Sequence, residues 1–409
     1  MHALMMRAAH AQQIVAMDQQ KTNVQLATLH AQRICVVKPS AFGDVVQALP
    51  LAGALRERFP TARISWVINR ELMGLLEGHP SIDDPIAFER RAGLRSQLRF
   101  LAGLRRRRFD LVIDLQGLFR SALMTWVTSA PVRIGLQTAR EGARLACNVV
   151  LPETDRKVPA HVRYWRVAEA VGAADAVRDN GISISNAERG WVYECLRGLP
   201  RPIVAIHPGA RWQTKRWPPE RFAAVAARIA GTIVVVGSPA ERELAGQVVA
   251  LASRAAAPLG VRLEGGQARS KAGFGNQEAA PAATHLSNQS VTSAAILNLA
   301  GGTNLRQLAA LFAACDLVVA NDSGPMHLAA AMGTKVVGIF TCTSAAISGP
   351  AGNQHQLVST SLPCAAGYHK HCPKRGAAYL FCHQEISVER VWRAIVRALN
   401  GQQVLGTVA

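Results

Sequence analysis

Short apolar runs alternate with amphipathic stretches along most of the chain. RICVVK (33–38), RISWVI (63–68), DLVIDLQ (110–116) and RIGL (133–136) are too short for helices. Rich in Val and Ile without alternation, they read as strands covered on both faces. DVVQALPLAGALRERF (44–59) and LFRSALMTWVTS (118–129) have helical spacing. Strands and helices in this order predict parallel βαβ units.

A second series begins after GLPRP (198–202). IVAIHPG, TIVVVGS, ILNLAG, DLVVAND and KVVGIF read as strands. PERFAAVAARIA, NLRQLAALFAAC, GPMHLAAAMG and the terminal SVERVWRAIVRAL read as helices. The expectation is an α/β protein of two doubly wound, Rossmann-like domains, with a ligand cleft outside their strand C-termini. The N-terminal domain covers 33–195 and the C-terminal one 200–400. Residues 1–32 read as a helical extension. An Ala-, Gly-, Ser-, Asn- and Gln-rich stretch at 254–295 lacks periodicity and reads as an inserted mobile loop.

Composition narrows the class. At 409 residues, 49% of them hydrophobic, the chain is globular and long enough for two cores. No apolar run approaches the roughly 18–20 residues of a membrane span. The first 32 residues have no continuous apolar segment or small-residue cleavage site, so the expected location is the cytoplasm. Net charge is +19, and eight arginines fall between Arg90 and Arg108. Leu94, Leu98, Leu101 and Leu104 recur there at helical spacing, with arginines on the other faces. That stretch is either a solvated helix face or a surface for anionic lipid headgroups or a phosphorylated acceptor. No nucleic-acid reader motif accompanies it, so nucleic acid is not an expected partner.

Eight cysteines at this length do not make a disulfide scaffold. Cys364, Cys372 and Cys382 cluster in sequence with His369, His371 and His383. Their spacing matches no compact C-x-x-C pair, so a structural cluster competes with a metal site there.

Neither series carries G-x-G-x-x-G after its first strand, and there is no Walker A sequence. The chemistry lies in other turns. In DLVVANDSGPMHLAAAMG, Asp322 or Ser323 can cap a helix that opens with Gly324 and Pro325. Its N-terminal N–H groups and dipole could hold a diphosphate, with His327 donating to a phosphate oxygen. A plain strand-to-helix turn is the alternative. HPGARWQTKRWPPERF sets Arg211, Thr214, Lys215 and Arg216 on a loop suited to an anionic leaving group or to solvent. Asp44 follows Gly43 at the start of a helix, as a cap or as a catalytic base. Asp114 and Gln116 end the next strand, as acceptor contacts or as a cap and turn. Arg120, Arg133 and Arg140 either meet acceptor carboxylates and phosphates or lie on the surface.

VVKPSAFGDVVQALP, FDLVIDLQGLFRSAL, IHPGARWQTKRWPPERF and LRQLAALFAACDLVVANDSGPMHLAAAMGTKVVGIF resemble successive signature blocks of the bacterial heptosyltransferase family, glycosyltransferase family nine. They stand in the family's order across most of 33–400. RIGLQTAREGARLACN is similar to the heptosyltransferase I branch. After Phe340 the chain departs from the family pattern in FTCTSAAISGP, without the usual glycine.

The resemblance implies a GT-B fold, with an acceptor domain, a nucleotide-sugar domain and chemistry between them. It implies a metal-independent, inverting transfer, without cofactor, from ADP-heptose to the Kdo–lipid A inner core of lipopolysaccharide. It matches Asp44 to the base, Lys215 to a lysine on the donor phosphates, and Asp322, Ser323, Gly324 and His327 to the donor block. Thr214 lies beside that lysine, and Glu241 corresponds to a ribose-binding acid. The expected setting is the cytoplasmic face of the inner membrane, with peripheral contact to its anionic surface. A same-fold enzyme using another nucleotide sugar, a non-catalytic nucleotide-sugar or anionic-glycan binding protein, and a membrane-surface adaptor are the rivals.

Overall fold

The computed structural model describes residue 26 and residues 28–255 and 295–399. The expected N-terminal extension, apart from its last residues, and the 254–295 interruption, apart from its two ends, lie outside the described residues. The chain divides into two units, Met1–Ser183 with Ala346–Ala351, and Ile184–Ala345 with Gly352–Ala409. This division puts the helix Asn186–Leu196 in the second unit, although the sequence reading places it at the end of the first domain. The helix packs on helix Leu305–Ala314, and Glu188 accepts from the Arg306 guanidinium at 2.9 and 3.1 Å. That ion pair holds the Glu188 carboxyl down near about 2.

In the first unit the strands are β1 (Arg33–Val37), β2 (Arg63–Asn69), β3 (Asp84–Phe88), β4 (Leu111–Asp114), β5 (Val132–Leu136) and β6 (Val149–Leu151). All pairs are parallel, in the order β3-β2-β1-β4-β5-β6. The second unit has β7 (Ile203–His207), β8 (Thr232–Val235), β9 (Ala295–Asn298), β10 (Leu317–Asn321), β11 (Val336–Phe340) and β12 (Gln356–Ser359). Its order is β12-β11-β10-β7-β8-β9, again all parallel. Numbered within each unit, both sheets read 3-2-1-4-5-6, the dinucleotide-fold order. The order reverses between β1 and β4 in one sheet and between β7 and β10 in the other. Loops diverge at such a point and leave room for a ligand.

Central strands are buried on both faces, which explains their uninterrupted apolar composition. Cys35, Val37, Val67, Leu104, Val112 and Met124 form one core layer of the first unit. Val204, Ile206, Trp217, Phe222, Val319 and Ile395 belong to the corresponding core of the second. Each fully buried Leu, Ile or Phe contributes about 1.5–3 kcal/mol.

The helix expected over 44–59 is interrupted. Pro50 has no N–H to give and crowds the preceding turn, so the chain forms Phe42–Ala48 and then Pro50–Arg58. Among the described helices, none is long and apolar enough to cross a membrane.

Candidate active site

In the first unit, β1 leads through Lys38-Pro39-Ser40-Ala41 into helix Phe42–Ala48. Asp44, third in that helix, accepts from the Ala41 N–H at 3.4 Å. It therefore does contribute to the cap. Its Oδ2 also lies 3.7 Å from Lys38 Nζ. Both contacts fall on the same oxygen, and among the described residues Oδ1 takes no hydrogen bond.

Lys38 is the residue that sequence reasoning passed over, because a lysine at a strand end ordinarily reaches solvent. Here its side chain is 3% exposed, against 40% for Asp44. Its ammonium faces the Tyr164 ring at 5.4 Å and Gln116 Oε1 at 3.4 Å. Burial pulls its pKa down, but Tyr164, Asp44 and Asp114 outweigh that and raise it above the ordinary lysine value. A permanent cation thus sits behind the Asp44 carboxylate.

Asp114 and Gln116 have different places. Gln116 Oε1 accepts from the Ser40 N–H at 3.2 Å, which ties the β4 turn to the Asp44 loop. Asp114 is buried. Its carboxylate accepts from the N–H groups of Gln116 and Gly117 and from the Ser121 hydroxyl, each at 2.9 Å. Burial pushes its carboxyl up, and those donors pull it back. This arrangement fits the cap-and-turn reading of Asp114 and not acceptor contact, since no surface of the carboxylate is open to a saccharide.

Gly117 has φ +61°, and a Cβ there would meet Ala139 Cα at 2.8 Å. The close approach lets the Arg140 N–H donate to the Gly117 carbonyl at 2.8 Å, so Arg140 stands beside the turn with an exposed side chain. Arg120 is also exposed, its guanidinium 5.8 Å from the Phe88 ring centroid. Arg133 is used internally: it donates to the carbonyls of Ala146 (2.7 Å) and Ala130 (2.5 Å).

The second unit builds its site at the β7–β10 reversal. Fully buried Asn321 links the two strand ends: it accepts from the Trp217 N–H (3.0 Å) and donates to the Pro208 carbonyl (2.7 Å). Asp322 then turns its Oδ2 to Lys215 Nζ at 2.7 Å and to the Thr343 hydroxyl at 2.6 Å. The Asp322 side chain is 6% exposed and that of Lys215 is 18%. Lys215 also lies 5.0 Å from the Trp212 ring centroid.

Neither predicted cap works as one. Ser323 occupies the N-cap of helix Gly324–Ala331 without a side-chain cap bond, and its hydroxyl lies 3.3 Å from His207 Nδ1. The first-turn N–H groups are therefore not occupied by a capping side chain, and Gly324 adds no Cβ in front of them. His327 is largely buried in the same helix.

His207 Nε2 lies 3.6 Å from Glu241, so this imidazole stands between Ser323 and Glu241. Glu241 Oε2 accepts from the Ser238 N–H and hydroxyl, both at 2.8 Å. Burial pushes the Glu241 carboxyl up, but His207 and Ser238 pull it down to about 2. Gly209 is required beside it, since a Cβ there would collide with the carboxylate. Apart from its position at a strand end, nothing in the sequence marks His207.

Thr214 is a support. Its hydroxyl donates to the His369 carbonyl (2.7 Å), and its own carbonyl accepts from the Thr341 hydroxyl (2.6 Å) and His383 Nε2 (3.2 Å). Thr341 and Thr343 come from the segment that departs from the family pattern. A recess of about 400 Å³ beside this loop is lined by Arg211, Trp212, Thr214, Lys370, His371 and Tyr379. The Cys/His segment braces the loop, and among the described residues no three His, Cys, Asp or Glu groups gather as a metal site.

A family model described as glycosyltransferase family 9 (heptosyltransferase) matches residues 97–263 and 258–378. The chain is 27% identical over 342 residues to the lipopolysaccharide core heptosyltransferase OpsX of Haemophilus influenzae, covering 82% of this chain and 86% of that one. It is 27% identical over 364 residues to lipopolysaccharide heptosyltransferase 1 of Pseudomonas aeruginosa, covering 83% and 87%. Among solved structures, the ADP-heptose lipopolysaccharide heptosyltransferase II of E. coli aligns with a TM-score of 0.66 at 24% identity, covering 90% of this chain and 98% of that one. The fold is the GT-B type expected from the sequence.

Proposed function

We propose, from the premise that the chain belongs to glycosyltransferase family 9 and is a glycosyltransferase, that it transfers L-glycero-D-manno-heptose from ADP-heptose to the Kdo of the lipopolysaccharide inner core. The observation that carries the reading is a half-exposed carboxylate, Asp44, with one oxygen open, at one switch point, and a lysine beside a helix N-terminus without a side-chain cap at the other. The names of the similar proteins supply the sugar and the pathway.

In the proposed reaction Asp44 Oδ1 takes the proton of the acceptor hydroxyl. The acceptor oxygen so freed attacks the anomeric carbon as the bond to the diphosphate breaks on the opposite face, which inverts the centre. The electron pair leaves on ADP. Lys215 and the N-terminus of helix Gly324–Ala331 stabilise that charge, in the role a divalent cation plays elsewhere. Ser323 and Gly324 border the diphosphate, and His327 supports the turn. His207 orients Glu241, which receives the ribose hydroxyls. Arg120 and Arg140 meet the acceptor's anionic groups, with Gln116 holding the Asp44 loop through the Ser40 N–H. The enzyme works at the cytoplasmic face of the inner membrane.

The test is transfer from ADP-heptose to a deacylated Kdo–lipid A acceptor, in EDTA, read as ADP release and product mass with its anomeric configuration. The expected result is one inverted heptosyl product, lost in Asp44→Asn while donor binding persists. No product, together with saturable binding of a different nucleotide sugar, overturns the heptose assignment. Product that forms in a parallel reaction without EDTA but not in its presence overturns metal independence.

A further inference from the structure

Helix Leu94–Arg106 gives the first unit only part of its circumference. Phe100, Leu101 and Leu104 turn into the core. Arg95, Arg99 and Arg106 are exposed on the opposite side, and among the described residues none of them is paired with a carboxylate. Leu94 and Leu98 lie on the flank between, and Leu94 is 74% exposed.

Helix Phe119–Thr128 packs beside it. Arg105 clasps the two by donating to the Val127 carbonyl (3.3 Å) and the Ser129 hydroxyl. Phe100 meets Phe88 with ring centroids 5.3 Å apart, and Phe88 lies under Arg120. The outer side of this second helix carries Phe119, Leu123 and Trp126 at i, i+4 and i+7, all exposed, Trp126 at 64%. The short turn Ala143–Ala146 packs on the same helix and presents Leu145, 90% exposed.

Single exposed apolar side chains are ordinary, but a stripe shared by adjoining elements marks a binding surface. The composition chooses among occupants. A protein partner would have to set carboxylates of its own opposite Arg95, Arg99 and Arg106 while also covering the apolar stripe. Nucleic acid would use the arginines and leave Leu94, Phe119, Trp126 and Leu145 against water. An anionic bilayer uses both: headgroups take the guanidinium groups, while Leu, Phe and Trp enter the boundary beneath them.

We propose that Leu94–Arg106, Phe119–Thr128 and the Leu145 turn form a docking face for an anionic phospholipid surface, lying in the headgroup plane. This deepens the location part of the proposed function and rests on it only for the membrane's identity. It is independent of the donor chemistry.

The test mixes the full chain, without donor, with vesicles of phosphatidylcholine alone or with about one-third phosphatidylglycerol, and measures cosedimentation. Binding is expected on the anionic vesicles, falling at least tenfold in Arg95→Glu/Arg99→Glu and in Leu94→Ser/Leu98→Ser/Trp126→Ser. Both variants should keep the wild-type thermal midpoint and transfer to a soluble acceptor. Absence of vesicle binding in the wild type overturns the proposal. So does binding that the apolar variant retains, which would indicate charge attraction alone. A wild-type dimer that only the apolar variant dissolves, with vesicle binding unchanged, would assign the face to a second copy and overturns it too. Failure of the transfer assay with vesicle binding intact would instead remove the heptosyltransferase reading and leave this one standing.

Discussion

The two switch points hold the same pair of charges with the burial reversed. In the first unit the lysine is inside, Lys38 at 3%, and the carboxylate of Asp44 is open at 40%. In the second unit the carboxylate is inside, Asp322 at 6%, and the lysine faces outward, Lys215 at 18%. Both stand where β-strands of identical order diverge. The fold therefore does not choose the chemistry; the choice of which partner is enclosed does. A charge withdrawn from water needs its counter-charge nearby. Each inner group thus holds the outer one in place, and one turn presents a carboxylate while the other presents an ammonium group.

That contrast predicts unequal responses to loss of the outer group. Asp44→Asn keeps the shape and removes the proton acceptor. Its kcat is expected to fall by about 10²–10⁴, with ADP affinity unchanged by calorimetry. Lys215→Met removes the ammonium group and leaves Asp322 without its cation. Its kcat should fall by about 10², ADP binding should weaken, and stability should drop by about 1–3 kcal/mol in denaturant titration. Equal losses of ADP affinity in the two variants would erase the contrast.

Removing an inner group is a smaller perturbation. Lys38→Met should lower kcat about tenfold through a misplaced Asp44, without changing ADP affinity. Because the folded pKa of Lys38 is raised above 10.5, its stabilisation is present below that pH and is lost as pH rises through the folded value. The gap in thermal midpoint between wild type and Lys38→Met should therefore close in strong alkali. Glu241 shows the opposite sign and the smallest effect. Its folded carboxyl is held near about 2 against 4.5, so its contribution is present above 4.5 and lost as pH falls toward 2. The midpoint gap between wild type and Glu241→Gln should shrink over that interval.

Burial pattern decided what could be read in advance. Strands β1, β2, β4, β7, β8, β10 and β11 announce themselves because both faces are covered and almost every position is apolar. β3, β6 and β12 escaped: each is an edge strand, short or carrying Pro85 or Gln356, and half of such a strand faces solvent. The break at Pro50 was written in the sequence, but the apolar spacing runs through it. Asp44 and Lys215 stood out in the sequence because charged residues at strand-to-helix turns are conspicuous. Lys38 behind Asp44, Thr343 on Asp322, His207 beside Glu241 and Asn321 between the strand ends did not stand out, because each looks ordinary until the sheet brings it opposite a group distant in the chain. The same blindness made Thr214 look like a ligand contact beside Lys215, when its hydroxyl is spent on the His369 carbonyl.

One pairing bears on how such a chain can change over generations. β8 ends at Val235 and its parallel neighbour β9 begins at Ala295. The entropic cost of closing a connection grows only with the logarithm of its length, about 0.6 kcal/mol for each doubling. Lengthening that connection therefore costs the sheet less than losing one buried methyl group, whereas trimming it into 238–252 would remove Glu241 and the buried Ala245, Val248 and Ala252. A lineage can add sequence to this connection at a small cost in closure, while Glu241 and the buried positions of helix Arg242–Ala255 within it stay fixed by their contacts.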